Sequence, residues 1–560
     1  MVKRILSFFN RDISSLHEAA FILGLSSLAS QMLALFRDRL FASEFGASKV
    51  LDIYYASFRI PDLLYVFVAS LVAGSVLIPF VAEHFVKKDL EKLHEFLNSI
   101  LTFFIIILFL LSLLAFFVIP YLTDILVPGF SEEETNLFVS TTRILLLSPL
   151  LLGLSNLFGS VTQALKRFFI YAFTPILYNV GIIFGFLYLY KPWGLTGLAV
   201  GVLLGAFFHF AIQVPTVLRS GIFPFITFSP KISYLKHVVL VALPRTITLS
   251  AHHIIIIVFT SLASIMAVGS ISVFNFAYNL QSVPLAIIGV SYSVAAFPTL
   301  SRLFSGGDTK AFVHYIITAA RHIIFWSMPV LSLFIVLRAQ IVRVLFGAGN
   351  FSWENTRLVA ASLALFAFSV FAQGLILLFV RGYYAAGNTK KPLFISIYTS
   401  LFSLFSVFFF LYLFSKDKLF AHFFETLFRV SELSGTNVLM LPFAFSLGAV
   451  LNMSLLWLSF KKDFKTHYVS IRKNIFQILA GSLLMGFVSY LLLQFFDDIF
   501  DINTFFGIFM QGFLSGMIGL IAGILSLKIL KNRELSEIES VLRRKLFRTK
   551  PILPTPEDLS

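Results

Sequence analysis

The sequence predicts an all-α polytopic membrane protein with about fourteen transmembrane helices. Of its 560 residues, 58% are hydrophobic and only 13% are charged, whereas a soluble domain carries about 25% charged residues. Apolar runs of roughly 20 residues, the length that crosses a bilayer as a helix, recur along the whole chain. Together these observations exclude a row of soluble globular domains.

Short polar segments separate the apolar runs, so each run is predicted to form one span. Several of the runs contain proline, which membrane helices tolerate as a kink. The predicted spans are 19–42, 51–82, 97–119, 136–162, 168–190, 194–217, 236–265, 269–300, 311–337, 356–384, 392–414, 438–460, 474–496 and 504–530.

Lys and Arg cluster in alternate connecting segments, as they do on the cytoplasmic side of a membrane. The segments 123–136 and 497–503 contain neither residue. The pattern predicts cytoplasmic N- and C-termini, with the acidic loops at Glu132–Glu134 and Asp497–Asp498 outside and Lys461–Lys473 inside. This bias accounts for the net charge of +15, so the charge gives no reason to expect nucleic acid as a partner.

An internal repeat supports a duplicated six-helix unit. FRIPDLLYVFVASLVAGSVLIPFVAEHF (58–85) parallels YNLQSVPLAIIGVSYSVAAFPTLSRLF (278–304), and parallel repeats of this kind are a known transporter plan. The repeat predicts two pseudo-symmetric six-helix lobes followed by two C-terminal helices. The predicted domains are a cytoplasmic N-terminus (1–18), an N-lobe with helices one to six (19–217), a C-lobe with helices seven to twelve (218–460), helices thirteen and fourteen (461–530) and a basic cytoplasmic tail (531–560).

Charged residues are concentrated in one apolar stretch, Ala34–Pro79. A charge at bilayer depth costs about 2.5 to over 10 kcal/mol, so such residues usually face a wet cavity or a partner. On a continuous helix Asp52, Arg59 and Asp62 fall near one face. We therefore expect the first two helices to line a polar, net-cationic cavity. The charged residues of the stretch are Arg37, Asp38, Arg39, Asp52, Arg59 and Asp62, with Glu44 and Lys49 in the loop between the two helices.

Each of these charges also has a structural interpretation. Arg37 and Arg39 could be interfacial anchors whose charged heads reach the lipid headgroups. Asp52 and Arg59 could form an intrahelical ion pair. Arg245, at the start of helix seven, is equally an anchor or a ligand. The sequence alone leaves these alternatives open.

The motifs of common enzyme classes are missing from the sequence. It contains no GxxxxGK[ST] phosphate loop and no HExxH pair, and it has no cysteine, which excludes thiolate nucleophiles and Cys-based zinc sites. The loops are too short for the acidic site of a membrane glycosyltransferase. We therefore expect no enzymatic activity, no cofactor and no metal site.

Several stretches resemble the MurJ/MviN family of lipid II flippases, within the MOP exporter superfamily. They include FRD, FGAS, LDIYYASFRIPDLL, LIPFVAEHF, FNFAYNLQSVPLAIIGVSYSVAAFPTLSRLF and LFGAGNFS. The similarity runs through helices one to twelve. It implies a fold with states facing the cytoplasm and the periplasm, and a cargo of lipid II, the undecaprenyl-diphosphate-linked disaccharide-pentapeptide.

The resemblance also implies candidate site residues, position by position. Arg37 and Asp38 match the Arg-Asp pair of the family's helix one. Asp52 matches its helix-two Asp, and Arg59 stands where a Lys or Arg is usual. These residues are predicted to bind the diphosphate or to line the cavity.

Four positions depart from the family pattern, and each lacks a charge that is usual there. The losses put the mode of diphosphate binding in question, and Arg39 and Arg245 are candidates to supply the missing cations. The departing positions are Gln31, Tyr65, Ser70 and Asn279.

Three functional hypotheses follow. The first is a lipid II flippase of the inner (cytoplasmic) membrane that serves peptidoglycan biosynthesis, cell-wall organisation and cell shape, with lipid II, membrane lipids and the cell-wall synthesis machinery as partners. The second is another MOP-type transporter, either a lipid-linked oligosaccharide flippase or a cation-coupled exporter. The third is a non-transporting cell-wall scaffold. A basic cavity favours an anionic cargo over an organic cation, because phosphates need cationic partners.

Overall fold

The computed structural model describes residues 16–71, 74–465 and 472–546, and every regular element in those ranges is helical. The predicted all-α class is therefore confirmed. Of the sequence predictions, those on residues 1–15, 72–73, 466–471 and 547–560 lie outside the described residues. The α-helices are α1 (Leu16–Phe45), α2 (Lys49–Ser57), α3 (Arg59–Leu71), α4 (Gly74–Val86), α5 (Leu90–Leu126), α6 (Glu132–Leu145), α7 (Ser148–Ala164), α8 (Phe168–Phe184), α9 (Tyr190–Trp193), α10 (Leu195–Ala211), α11 (Val214–Arg219), α12 (Ile232–Ser264), α13 (Ser270–Pro284), α14 (Ser291–Ser305), α15 (Thr309–Val336), α16 (Arg338–Phe346), α17 (Trp353–Ala385), α18 (Lys390–Lys416), α19 (Lys418–Phe428), α20 (Met440–Phe464), α21 (Arg472–Asp497), α22 (Phe505–Ile529) and α23 (Arg533–Leu546).

Each predicted span coincides with one helix or with a short series of helices. Among the described residues, 12 helical segments are long and apolar enough to cross a membrane, the first of them beginning at Leu90. The first predicted span corresponds to α1, and the second is divided among α2, α3 and α4. The chain is thus a multi-pass membrane protein, and the total of fourteen spans stays a prediction.

Several spans are interrupted within the bilayer-length segment. A π-helical stretch at Leu285–Val290 follows Pro284, and another covers Gly185–Leu189. Proline removes a backbone donor and clashes with the preceding turn, so a local change of helical pitch beside it is expected. Pro149 instead lies in the first turn of α7, where its missing N–H costs nothing.

The chain divides into two compact units. The first comprises Met1–Leu280, Leu345–Ser362 and Asn388–Gly448, and the second comprises Gln281–Val344, Leu363–Gly387 and Ala449–Ser560. These units describe which segments pack most densely, and the two lobes predicted from the repeat stay a prediction.

Small residues let α8 and α10 of the first unit pack backbone to backbone. A Cβ built on Gly181 would overlap the backbone of Gly205, and one on Gly185 would overlap that of Gly201. Within a bilayer, where lipid is as apolar as the side chains, such close approach is what associates helices. Substituting any of these four glycines would force the two helices apart.

In the second unit, a buried ion pair docks the amphipathic helix α23. Arg321 of α15 donates from Nε to Glu534 Oε1 at 2.6 Å, and Asn474 of α21 donates to the same oxygen at 2.8 Å. The Glu534 side chain is 0% exposed. The helix that follows the last span is therefore fixed to two spans by a carboxylate that has no access to water.

Candidate functional site

Three polar side chains recur at i, i+3 and i+7 along α13: Ser272, Asn275 and Asn279. This spacing puts them on one face of the helix. Each of the three is hydrogen-bonded to a charged residue from the first two predicted spans. The polar face of α13 is therefore where the cavity charges of the sequence analysis find their partners, all within the first unit.

Asp52 caps the amino end of α13. Its Oδ2 accepts from the Gly269 N–H at 2.7 Å, and its Oδ1 accepts from the Ser272 N–H at 2.8 Å and from the Ser272 hydroxyl at 2.7 Å. The first backbone N–H groups of a helix have no partner within it and favour a carboxylate. Asp52 is 3% exposed, so its charge is stabilised by these donors rather than by water.

Arg59 has two neutral partners. Its Nε donates to Thr260 Oγ1 of α12 at 2.8 Å, and its Nη2 donates to Asn275 Oδ1 at 2.7 Å. Among the described residues, neither Asp52 nor Asp62 lies within ion-pair distance of the guanidinium. Phe58, between α2 and α3, keeps helical dihedrals (φ −79°, ψ −19°), so the shared face of the three residues stays a prediction, but the described residues show no intrahelical ion pair between Asp52 and Arg59.

Arg37 and Asp38 form an ion pair on α1. Arg37 donates from Nε at 2.9 Å and from Nη2 at 2.7 Å to Asp38 Oδ1, and Asn279 donates to Asp38 Oδ2 at 2.9 Å. The Nη1 of Arg37 reaches Asn179 Oδ1 at 3.2 Å. Asp38 is 1% exposed. Asn279, at the position where the resemblance expects Arg, supplies a neutral donor to a carboxylate already paired with a cation.

Arg39 and Arg245 are directed elsewhere. The Nη1 of Arg39 donates to the Leu345 carbonyl oxygen at 3.2 Å. The Arg245 side chain is exposed, and 15 positions separate it from Thr260 on α12, about 22 Å along the helix axis. The structure therefore brings Arg37, Asp52 and Arg59 to the polar face of α13 and leaves Arg39 and Arg245 away from it.

The sequence analysis missed the neutral residues that hold these charges. Thr260 and Ser272 were not singled out, and Asn275 and Asn279 were not recognised as members of one stripe. The i, i+3, i+7 spacing of Ser272, Asn275 and Asn279 was the signal that could have identified it. Tyr65, another departure from the family pattern, accepts a hydrogen bond from Asn156 Nδ2 at 2.8 Å.

Beside Asp52, the loops at one end of the first unit are joined by backbone contacts. Asn350 donates from its N–H to the Ser43 carbonyl oxygen at 2.8 Å and from Nδ2 to the Glu44 carbonyl oxygen at 2.6 Å. Gly269 has φ +87°, and a Cβ there would overlap the Ala47 carbonyl oxygen. Only glycine fits such a position without strain. We call these contacts between the loops the Asp52 closure, and they are tightly packed.

Within residues 16–71, 74–465 and 472–546, no group of three or more His, Cys, Asp or Glu side chains is arranged to hold a metal ion. The polar groups described above are Arg, Asp, Asn, Ser and Thr. Arginine and amide donors of this kind are suited to a phosphate or another anion rather than to a cation.

Comparisons with known proteins identify the family of the chain. The model of the family described as lipid II flippase MurJ matches residues 41–511. A probable lipid II flippase MurJ from Buchnera aphidicola subsp. Schizaphis graminum is 29% identical over 386 residues, which cover 67% of this chain and 74% of that protein. Another from Thermotoga maritima is 27% identical over 526 residues, 94% of this chain and 98% of that protein.

A solved structure of a lipid II flippase MurJ in an inward closed conformation superposes with a TM-score of 0.69 at 24% identity, covering 94% of this chain and 100% of that chain. The family predicted from the sequence motifs is thereby confirmed. This chain belongs to the lipid II flippase MurJ family.

Proposed function

We propose that this chain carries lipid II across the cytoplasmic membrane by alternating access, and that it thereby supplies peptidoglycan synthesis. Family membership over residues 41–511 supports the proposal. The activity moves a lipid from one leaflet to the other and makes or breaks no covalent bond, so the chain acts as a transporter and not as an enzyme.

The observation that carries the proposal is the state of Arg59. Its two described hydrogen bonds go to the uncharged Thr260 and Asn275, and no described carboxylate lies within ion-pair distance. The guanidinium therefore has no described carboxylate in direct contact inside a helix bundle, where an unpaired charge is expensive, and Asp62 acts on it only at longer range. A diphosphate offers the missing counter-charge, and Arg presents a planar fork that fits phosphate oxygens.

Arg37 would act as a second, conditional ligand. It is paired with Asp38 in this structure, so the pair carries no net charge. Asn279 holds the other oxygen of Asp38, and Asp38 stays hydrogen-bonded if Arg37 turns toward a phosphate. The diphosphate would then be held by Arg59 alone at first and by both cations once the Arg37 ion pair has opened.

Alternating access requires the closure beside Asp52 to open. With the amino terminus in the cytoplasm, as the Lys and Arg bias predicts, this closure is on the extracytoplasmic side. Lipid II would enter from the cytoplasmic leaflet while Asp52 holds Gly269 and Ser272, and its release outside would require those three hydrogen bonds to break.

The proposed orientation can be tested with single cysteines, because the natural chain has none. Glu133→Cys should react with an impermeant thiol reagent added to intact cells, and Lys462→Cys should react only after the cytoplasmic membrane is opened. The reverse pattern would invert the topology and move the Asp52 closure to the cytoplasmic side.

The function itself is tested with purified protein in liposomes that contain fluorescent lipid II. We expect lipid II to co-purify by native mass spectrometry, and the label on the inner leaflet to become accessible to an external quencher only when the protein is present. Binding without flipping would support a scaffold instead. Selective binding of a different lipid-linked oligosaccharide would support the alternative MOP-type transporter.

A further inference from the structure

Helix α19 lies between two predicted spans and packs against the protein through aromatic rings. The Phe420 ring is parallel to that of Phe410 in α18, with centroids 6.1 Å apart, and the Phe424 ring meets Phe443 of α20 edge-on at 5.0 Å. Asp417 caps its amino end by accepting from the Leu419 N–H at 2.9 Å. The helix is therefore a fixed element of the first unit and not a loose loop.

A second apolar stripe on α19 is not covered by any residue that the structure describes. Leu419, Phe423 and Leu427 are 81%, 60% and 54% exposed, and their i, i+4, i+8 spacing forms one row along the helix. The row lies next to the packed face that carries Phe420 and Phe424. An uncovered row of three large apolar side chains is unusual on a surface that faces water.

The remaining sector of α19 is polar. Lys418, His422 and Thr426 are exposed and recur with the same four-residue spacing. The helix thus has three faces: one against the protein, one apolar and uncovered, and one polar. A helix in the plane of a membrane interface has this distribution when its apolar side enters the acyl chains and its polar side faces water.

The contacts with α18 fix the depth of α19. Phe410 lies six residues before Lys416, the last residue of α18, about 9 Å along the helix axis. Because Phe420 contacts Phe410, α19 lies beside the last two turns of α18 and not beyond its end. α18 is one of the segments able to span a membrane, and its last two turns belong at the boundary between acyl chains and headgroups.

Exposed aromatic residues of α18 continue into α19. The Phe409 ring lies 6.0 Å from Phe405 and 5.3 Å from Phe410, which in turn contacts Phe420. Phe405 and Phe409 are both exposed, as expected of side chains that contact lipid on a spanning helix. The uncovered row of α19 therefore extends a surface that already faces the bilayer.

We propose that α19 is an interfacial membrane anchor, with Leu419, Phe423 and Leu427 inserted among the lipid acyl chains. Lys416 and Lys418 are exposed at its amino end, where their long side chains can reach lipid phosphates. The partner is the bilayer surface. With cytoplasmic termini, α19 occupies the outer leaflet, on the side of the Asp52 closure.

Anchoring of α19 also restrains the segment that follows it. Glu425 accepts from the Thr436 hydroxyl at 2.7 Å, and Arg357 donates from Nε to the Arg429 carbonyl oxygen at 2.9 Å. A Cβ on Gly435 would lie 2.6 Å from the Ala267 Cβ. The lipid-embedded helix is thus connected, through residues 429–436, to the loop that carries the Asp52 ligand Gly269.

The test uses spin labels on single cysteines in the full-length protein in liposomes. Phe423→Cys and Leu427→Cys sample the apolar row, His422→Cys samples the polar face, and Glu432→Cys in the following loop is the water-exposed control. We expect collisions with oxygen to exceed collisions with a water-soluble nickel chelate severalfold at 423 and 427, and the reverse at 422 and 432.

Two results would overturn the proposal. If the labels at 423 and 427 collide with the nickel chelate as often as the label at 432, α19 lies in water. If they are shielded from both reagents and show spin–spin broadening that disappears on dilution with unlabelled protein, the row is covered by a second copy of the chain. A thermal unfolding transition shows that each labelled variant is folded. Because two positions on the row are labelled, the test still gives a result if one of the variants does not fold.

Discussion

Asp52 accepts two hydrogen bonds from Ser272, one from its backbone N–H at 2.8 Å and one from its hydroxyl at 2.7 Å. The two residues are 220 positions apart in the chain. One carboxylate thereby connects the second predicted span to the start of the eighth. A residue identified as a cavity charge is, in this conformation, the cap of a helix.

Asp52→Asn should weaken this connection. The side-chain amide keeps one acceptor oxygen but directs an NH₂ group at a backbone donor, so at least one hydrogen bond to a charged acceptor is lost, at a cost of about 1.5–3 kcal/mol. We expect lower thermal stability in detergent and faster lipid II release, because the contacts that must break for release are weaker. Ser272→Ala is the matched control, because it removes only the hydroxyl donor and should cost about 0.5–1.5 kcal/mol.

A Ser272→Ala variant that is less stable than Asp52→Asn would contradict this account. In that case the hydroxyl, and not the two backbone donors at Gly269 and Ser272, would carry most of the interaction.

Arg59→Ala should reduce lipid II binding more than any other single change in the site. Charge-assisted hydrogen bonds contribute about 1.5–3 kcal/mol each, so one lost phosphate contact lowers affinity about tenfold to a hundredfold. Arg59→Lys keeps the charge without the bidentate fork and should be milder. Native mass spectrometry with a lipid II titration measures the change.

Asn275→Ala should reduce lipid II binding less than Arg59→Ala does, because it removes one hydrogen bond that orients Arg59 but leaves the cation in place. Arg302→Ala removes an exposed arginine near the end of α14 and should bind as wild type. Unchanged binding by a folded Arg59→Ala variant would show that this charge is structural.

Asn279→Arg should strengthen binding of the diphosphate. The new guanidinium would lie beside Asp38 Oδ2, which now accepts from Asn279 Nδ2 at 2.9 Å. It can pair with Asp38 and release Arg37 toward the phosphates, so the site gains one net positive charge. We expect a higher affinity for lipid II and a steeper loss of that affinity with added salt, since salt screens the long-range attraction between a cationic site and an anionic cargo in water.

Asn279→Gln is the control for side-chain size at this position, and it should leave both the affinity and its salt dependence unchanged. If Asn279→Arg binds lipid II no better than Asn279→Gln, position 279 does not face the diphosphate.

Glu534 should make the stability of the second unit depend on acid pH. Burial raises the pKa of this carboxyl, but hydrogen bonds from Asn474 and Arg321 and the charge of Arg321 outweigh burial, so the pKa lies below the ordinary glutamate value. The folded state therefore favours the ionised form. This contribution is complete above the unfolded pKa of about 4.3 and is lost as pH falls through the folded pKa.

Glu534→Gln removes the buried charge at 2.6 Å and leaves Glu537, at 3.8 Å, as the carboxylate nearest to Arg321. Breaking a buried pair costs about 3–5 kcal/mol. The difference in melting temperature between wild type and variant should stay constant from about pH 6 to pH 8 and narrow below about pH 4. Glu539→Gln, on the same helix, is the control. A difference that does not change with pH would show that Glu534 has the same pKa in the folded and unfolded states, and would contradict this account.

The positions of the helices were predictable because hydropathy is a local property. Twenty consecutive apolar residues cannot leave their backbone groups unsatisfied in lipid, so each run must form a helix wherever it packs. Residues 392–414, for example, were predicted as a span and lie within α18 (Lys390–Lys416). The family was predictable for a similar reason, since its motifs are continuous in the chain.

The partners of the charged residues were not predictable. The helix-face argument for Asp52 and Arg59 allowed an ion pair between them, but each side chain is hydrogen-bonded to groups on other helices instead. Which groups then meet each charge depends on α12 and α13, some 200 residues further along the chain.

The sequence by itself thus determined the membrane class, the positions of most helices, the family and the identity of the buried charges, because each follows from composition or from short continuous motifs. Only the tertiary structure decided that Asp52 caps a helix, that Asn279 holds Asp38 and that Arg59 has neutral partners. Hydrogen bonds between distant segments depend on distances of about 3 Å, and the packing of separate helices fixes those distances.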